Sequence, residues 1–210
     1  MLDWNSTFHL FLRFTDYIMK LNKNILICFV LLIVVSALYR VVPSPGIRPW
    51  NFAPQIAMAL FAGAVIKNRI WAFAVPIFSM FLSDLLYQVL YLNGLTDIPG
   101  FYVGQWQNYL LFGLMVTIGF FIKKIRFLNV FIASLAAPTV FFLLSNFVVW
   151  AGWQGTRGLN RPKTFEGLLM CYADAIPFYG NSVLACVFFS AVLFGSYVLI
   201  RRRQEQIGVA

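Results

Sequence analysis

The chain alternates long apolar runs with short polar ones, and the lengths of those runs predict its elements. Residues 25–42, 70–92 and 127–150 are each long enough as helices to cross a bilayer core about 30 Å thick. Residues 108–122 and 181–200 read as two further spans. A sixth, 53–66, would rise only about 21 Å, so it must be tilted, partly re-entrant or shielded by neighbouring protein. Between these runs, residues 165–178 are semi-apolar, carry Glu166 and Asp174, and read as a helix broken at Pro177. In residues 1–24, Trp4, Phe8, Phe11, Leu12, Ile18 and Leu21 recur at helical spacing with Arg13, Asp16 and Lys20 between them, which predicts an amphipathic helix lying on the membrane surface. The expected fold is therefore an all-α integral membrane protein. It has an interfacial segment (1–24), a domain of six transmembrane helices with a short second one (25–200), and a basic tail (201–210).

The region from Arg40 to Ala64 is the most distinctive. It leaves the first span, crosses a loop stiffened by Pro43, Pro45 and Pro49, and re-enters an apolar run through Trp50, Asn51, Phe52 and Pro54. The run that follows is dense in small residues, with Ala53, Ala57, Ala59, Ala62, Gly63 and Ala64, the composition that lets helix backbones approach closely in a bilayer. A rigid basic loop over a tightly packed short helix reads as the lid and floor of a ligand site.

Composition narrows the class. Of 210 residues, 61% are hydrophobic and 11% charged, with a mean hydropathy of +0.80. That excludes a soluble domain of this length and leaves one membrane domain. The formal net charge of +9 could suggest nucleic acid. The basic residues, however, fall in short loops between apolar runs, the pattern of membrane topology, so no nucleic-acid partner is expected. Cys28, Cys171 and Cys186 lie in or beside apolar segments without metal-ligand spacing and read as small buried hydrophobes. His9 is the only histidine, which disfavours a metal site and histidine-based catalysis. No P-loop or glycine-rich dinucleotide motif occurs, so no cofactor is expected. Lys20, Lys23, the apolar run after them and Val35-Ser36-Ala37 resemble a signal peptide. The run continues to Val42, however, and an uncleaved span is expected.

Charge also orients the spans. Arg13, Lys20, Lys23, Lys67, Arg69, Lys123, Lys124, Arg126 and Arg201 to Arg203 would share one side, leaving Arg40, Arg48, Arg157, Arg161 and Lys163 on the other. This bias puts both termini in the cytoplasm. The minority on the outer side crowd into two loops. Lipid phosphates attract arginine at any interface, but beside proline- and aromatic-rich sequence these residues also suit a site for a carboxylate or phosphate, which arginine grips bidentately.

Asp84 sharpens this expectation, because an ionisable group within a span faces a cavity or a partner. It should lie in the outer half of its helix, within reach of Arg40 or Arg48, either in a site or in a structural ion pair. Asp174 has the same choice, with Arg157, Arg161 or Lys163 as partner. Asn146, Trp150, Tyr172 and Asn181 reach the same face. The candidate substrate-binding residues are thus Arg40, Arg48, Asn51, Asp84, Asn146, Trp150, Lys163, Tyr172, Asp174 and Asn181. Each aromatic alone also fits an interfacial belt. Ser83 beside Asp84 is the nearest approach to a nucleophile and base, but adjacent helix residues do not face each other, and no enzyme is expected.

Residues 51–87 (NFAPQIAMALFAGAVIKNRIWAFAVPIFSMFLSDLLY), 145–150 (SNFVVW) and 162–181 (PKTFEGLLMCYADAIPFYGN) resemble an uncharacterised bacterial family of proposed membrane transport proteins. More distantly, the order of features is similar to the S components, the substrate-binding subunits, of energy-coupling factor transporters. In those six-helix proteins a long loop after the first helix covers an outward-facing pocket, and a small-residue helix ending in a basic turn follows. Here the corresponding order is 43–52, 53–66 and 67–69. The resemblance implies a bacterial inner-membrane subunit that captures a small molecule from the outer face, and the cation-rich outer loops with abundant aromatics suggest that it is anionic or flat and cyclic. The resemblance also implies a transmembrane scaffold subunit and ATPases as partners. One feature departs from it. S components carry alanines four apart on the first helix, where the scaffold docks, and 25–42 has no such pair, whereas Ala53/Ala57, Ala59/Gly63 and Ala133/Ala137 have that spacing elsewhere. The alternative reading is a structural or assembly subunit of a larger membrane complex.

Overall fold

A computed structural model of the chain describes residue 34 and residues 51–96, 99–152 and 161–208. Among the described residues every regular element is an α-helix: α1 (Gln55–Val65), α2 (Arg69–Leu92), α3 (Gln105–Phe120), α4 (Phe127–Trp150) and α5 (Phe165–Ile207). Three are long and apolar enough to cross a membrane, namely α2, α4 and the Phe165–Arg203 part of α5, while α1 is a shorter apolar helix. The expected surface helix at 1–24 and first span at 25–42 lie outside the described residues, apart from Val34, which is helical.

Local sequence explains the boundaries. Asn68 caps α2, its Oδ1 accepting from the Ile70 and Trp71 amides at 2.9 and 3.4 Å. Thr164 does the same for α5, accepting from the Gly167 amide at 3.2 Å. Gly104, at a φ of 85°, makes the left-handed turn into α3. Because of that turn α3 starts at Gln105. The expected start at Asn108 is corrected, and Gln105 to Gln107 are helical rather than loop.

Pro76 and Pro138 lie inside α2 and α4, as expected. Pro177 also lies inside a helix, and this corrects the break expected there: α5 runs unbroken for 43 residues. A proline within a continuous helix releases one carbonyl, whereas a break in apolar surroundings would release a whole turn of backbone groups. At this length α5 spans about 65 Å, roughly twice a bilayer core.

Specific contacts set the directions. A Cβ added at Gly63 would collide with the Val116 carbonyl and lie 3.0 Å from the Gly119 Cα, so the late turns of α1 and α3 touch backbone to backbone and the two helices run parallel. Phe73 meets Phe120 edge-on, with ring centroids 5.6 Å apart. Together with the contact between the end of α2 and the start of α3 described below, this makes α2 antiparallel to both α1 and α3. Phe61 packs on Phe194 and Tyr197 of α5, and Phe52, just before α1, packs on Phe188 and Phe189. The core accordingly centres on α1, whose residues Gln55 to Gly63 are all buried. Outward faces are apolar too, with Phe78, Phe81 and Leu85 on α2 and Phe127, Leu128 and Ile132 on α4 exposed, a surface that suits hydrocarbon.

Candidate functional site

The polar groups of interest gather where α2 ends and α3 begins. The Asp84 side chain is completely buried. It accepts hydrogen bonds from the Tyr109 hydroxyl at 2.6 Å and from the Gln105 amide. Gln105 and Tyr109 stand one turn apart on α3, so both reach the same side of the helix. The Gln105 Nε2 also donates to the Gly100 carbonyl at 3.0 Å. One turn past Asp84, the Gln88 Oε1 accepts from the Gly100 and Phe101 amides at 3.1 and 3.2 Å. The connecting loop is therefore drawn down onto α2, and Gly100 is required there because a Cβ would overlap the Asp84 carbonyl and the Gln88 amide. Tyr102 and Asn108 join through their side chains at the rim.

A second group lies where α4 passes into α5. Arg161 grips Asp174 with two parallel bonds, Nε to Oδ2 and Nη2 to Oδ1, both 2.8 Å. Their side chains keep 35% and 29% of their exposure, so solvent screens this pair as it cannot screen Asp84. The Trp150 indole donates to the Pro162 carbonyl at 2.9 Å, and the Lys163 ammonium stands 5.6 Å from the Trp150 ring centre. Pro162 packs so closely on the first turn of α5 that a Cβ at Gly167 would overlap its carbonyl.

The expected site residues thus have definite places. Arg40 and Arg48 lie outside the described residues. Asn51 is exposed in the turn leading to α1, at a φ of 63°. Asp84 sits in the first group, while Trp150, Lys163 and Asp174 sit in the second. Asn146 and Tyr172 line the α4–α5 seam. There the Asn146 Nδ2 donates to the Phe142 carbonyl at 2.8 Å, its own carbonyl accepts from the Cys171 thiol at 3.5 Å, and the Tyr172 hydroxyl donates to the Leu143 carbonyl at 3.0 Å. Asn181 is half-buried on α5, one turn past Pro177. Gln88, Gly100, Gln105 and Tyr109 were not among the expected residues. The Gln105/Tyr109 spacing of four was the available signal, once the start of α3 is moved back to Gln105.

No group of three or more metal-ligating side chains occurs among the described residues. The arrangement buries a carboxyl away from water and satisfies it from the neighbouring helix, and α2, which carries it, is long and apolar enough to cross a membrane. These features define a multi-helix membrane protein with a buried carboxyl near one end of its bundle. The chain belongs to a family of unknown function, DUF6580, whose model matches residues 19–207. No curated protein and no solved structure matches the chain.

Proposed function

We propose that this chain is a membrane-embedded subunit that captures a small molecule from the outer face, in the manner of the S component of an energy-coupling factor transporter. The observation that carries this reading is the complete burial of Asp84 in a membrane-crossing helix, held by two uncharged side chains of the next helix. An intramembrane carboxyl is costly to bury and marks a functional site by default. The sequence adds Arg40 and Arg48 in the proline-rich loop before α1, a basic lid suited to an anionic or flat cyclic compound. Both termini would be cytoplasmic, and movement across the bilayer would need a scaffold and ATPases from elsewhere. Native mass spectrometry of the purified full chain tests this reading. A retained small molecule, weakened by Asp84→Asn and by Arg48→Ala, is the expected result, and retention indifferent to both would end it.

One observation favours a structural subunit instead. Arg161 and Asp174 satisfy each other within the chain, as a staple would. Co-purification with a non-transport membrane complex and no bound small molecule would support that reading.

A further inference from the structure

Among the buried polar side chains outside the Asp84 network, Gln55 and Ser79 stand apart. Gln55 keeps 6% of its exposure and Ser79 keeps 1%, yet among the described residues the Gln55 Oε1 and the Ser79 Oγ have no hydrogen-bond partner. Ser79 is unusual for a helical hydroxyl in this chain. Ser83 donates back to the Met80 carbonyl at 2.9 Å, Ser134 to that of Phe131 at 2.8 Å and Thr117 to that of Leu114 at 2.6 Å. A buried polar atom left unpaired costs about tenfold or more in the folding equilibrium, so each such atom calls for a reason.

Register sets the two at one level. α1 and α2 are antiparallel neighbours joined by residues 66–68, and Gln55 stands as far before that turn as Ser79 stands after it. Gln55 is also the first residue of α1, whose preceding residue, Pro54, offers no side-chain cap. The first amides of a helix have no partner within it. The Gly63–Gly119 contact fixes the level: α1 begins alongside the middle of α3, about a turn below the Tyr109–Asp84 bond. A helix that begins part-way along a membrane bundle presents its amino end to a polar guest.

We infer that Gln55, Ser79 and the amino end of α1 form a clamp for an uncharged ligand with an amide-like edge, a donor beside an acceptor. This rests on the capture reading and narrows its ligand. The Gln55 oxygen asks for a donor, the helix amides ask for an acceptor, and the serine hydroxyl serves either role. A carboxylate offers acceptors alone and would come to rest near the buried carboxyl of Asp84. Met58, Met80, Leu111 and Phe112 are buried around this level and suit a flat ring.

Benzamide and benzoate, the same ring with and without the amide, test the clamp on the full chain purified in detergent. Benzamide is expected to raise the melting temperature saturably, and benzoate at equal concentration is not. Ser79→Ala and Gln55→Leu should each weaken benzamide about tenfold. Without probe, each should melt above the wild type, because an unpaired buried atom is gone. Absence of benzamide binding, benzoate binding as tightly, unchanged affinity in both variants, or lower melting of both would each overturn the clamp. Native mass spectrometry separates the two levels of failure. If a retained small molecule is lost with Asp84→Asn but kept with Ser79→Ala and Gln55→Leu, capture stands and the clamp falls. If the wild type holds neither a retained molecule nor benzamide, both fall.

Discussion

The α1–α3 contact and the α4–α5 seam join helices by opposite means. α1 meets α3 through glycine and alanine, backbone against backbone at Gly63 and Gly119, with Ala57, Ala59 and Ala62 buried beside them. α4 meets α5 through long polar and aromatic side chains. Tyr172 bonds to the Leu143 carbonyl, Thr139 and Tyr179 join their hydroxyls at 2.7 Å, and Phe142 packs between Tyr172 and Tyr179. Helices in lipid gain little from hydrophobic contact with each other, so close packing and interhelical hydrogen bonds are the two devices left to them. Each device has its own vulnerability. A close-packed contact fails when volume is added, whereas a bonded seam loses its joints one at a time.

The two carboxyls differ in the same way. Asp84 is sealed among neutral donors, whereas Asp174 shares its charge with an arginine at a third of full exposure. Membrane-buried polar groups lack water as a fallback partner. Losing a partner should therefore matter much more at Asp84.

Substitutions order these differences by size. Gly119→Ala should cost most, about 2–4 kcal/mol, because its Cβ would strike the Leu60 carbonyl and stand 3.0 Å from the Gly63 Cα, with no flexible side chain to yield. A sharp fall in melting temperature of the detergent-purified chain checks this, and a neutral result would mean that α1 and α3 are further apart than described. Asp84→Asn comes next, at about 2 kcal/mol, since Gln105 and Tyr109 both donate to the one oxygen Oδ2, and asparagine would offer them a weaker, neutral acceptor while placing a buried NH2 where Oδ1 stood. Arg161→Ala should cost about 1 kcal/mol or less, and its effect should shrink as salt is added. A larger, salt-independent loss would put that pair on the same footing as Asp84. Gly180→Ala should be the mildest and of opposite sign. Nothing lies within 4 Å of an added Cβ there, so alanine should stabilise α5 by about 0.5–1 kcal/mol.

Hydrophobic run length located α2 and α4 within a residue, because scattered polar residues are too few to divide those runs and basic residues, Lys67 with Arg69 and Lys124 with Arg126, mark their starts. Two boundaries were less legible. The start of α3 was hidden by Gln105 and Gln107, whose polarity reads as loop although both are buried. The continuity of α5 was hidden by Pro177, followed closely by Gly180 and Asn181, which together resemble a helix break. In lipid the backbone has too few alternative partners for that break to form. At the site, Asp84 was legible because a charge within an apolar run is conspicuous. Its partners were not, since a neutral glutamine and a tyrosine carry no comparable signal. Arg161 was one of three partners weighed for Asp174, and only the folded chain chooses among them. Gln55 and Ser79 gave no signal in sequence, because one uncharged polar residue in an apolar run is ordinary.

The most direct measurement of the capture reading is native mass spectrometry of the full chain released from its own membrane in mild detergent, beside the Asp84→Asn variant. The account predicts a small molecule bound one to one in the wild type and lost, or greatly reduced, in the variant. A wild type that carries no small molecule and travels with the subunits of a non-transport complex would contradict it.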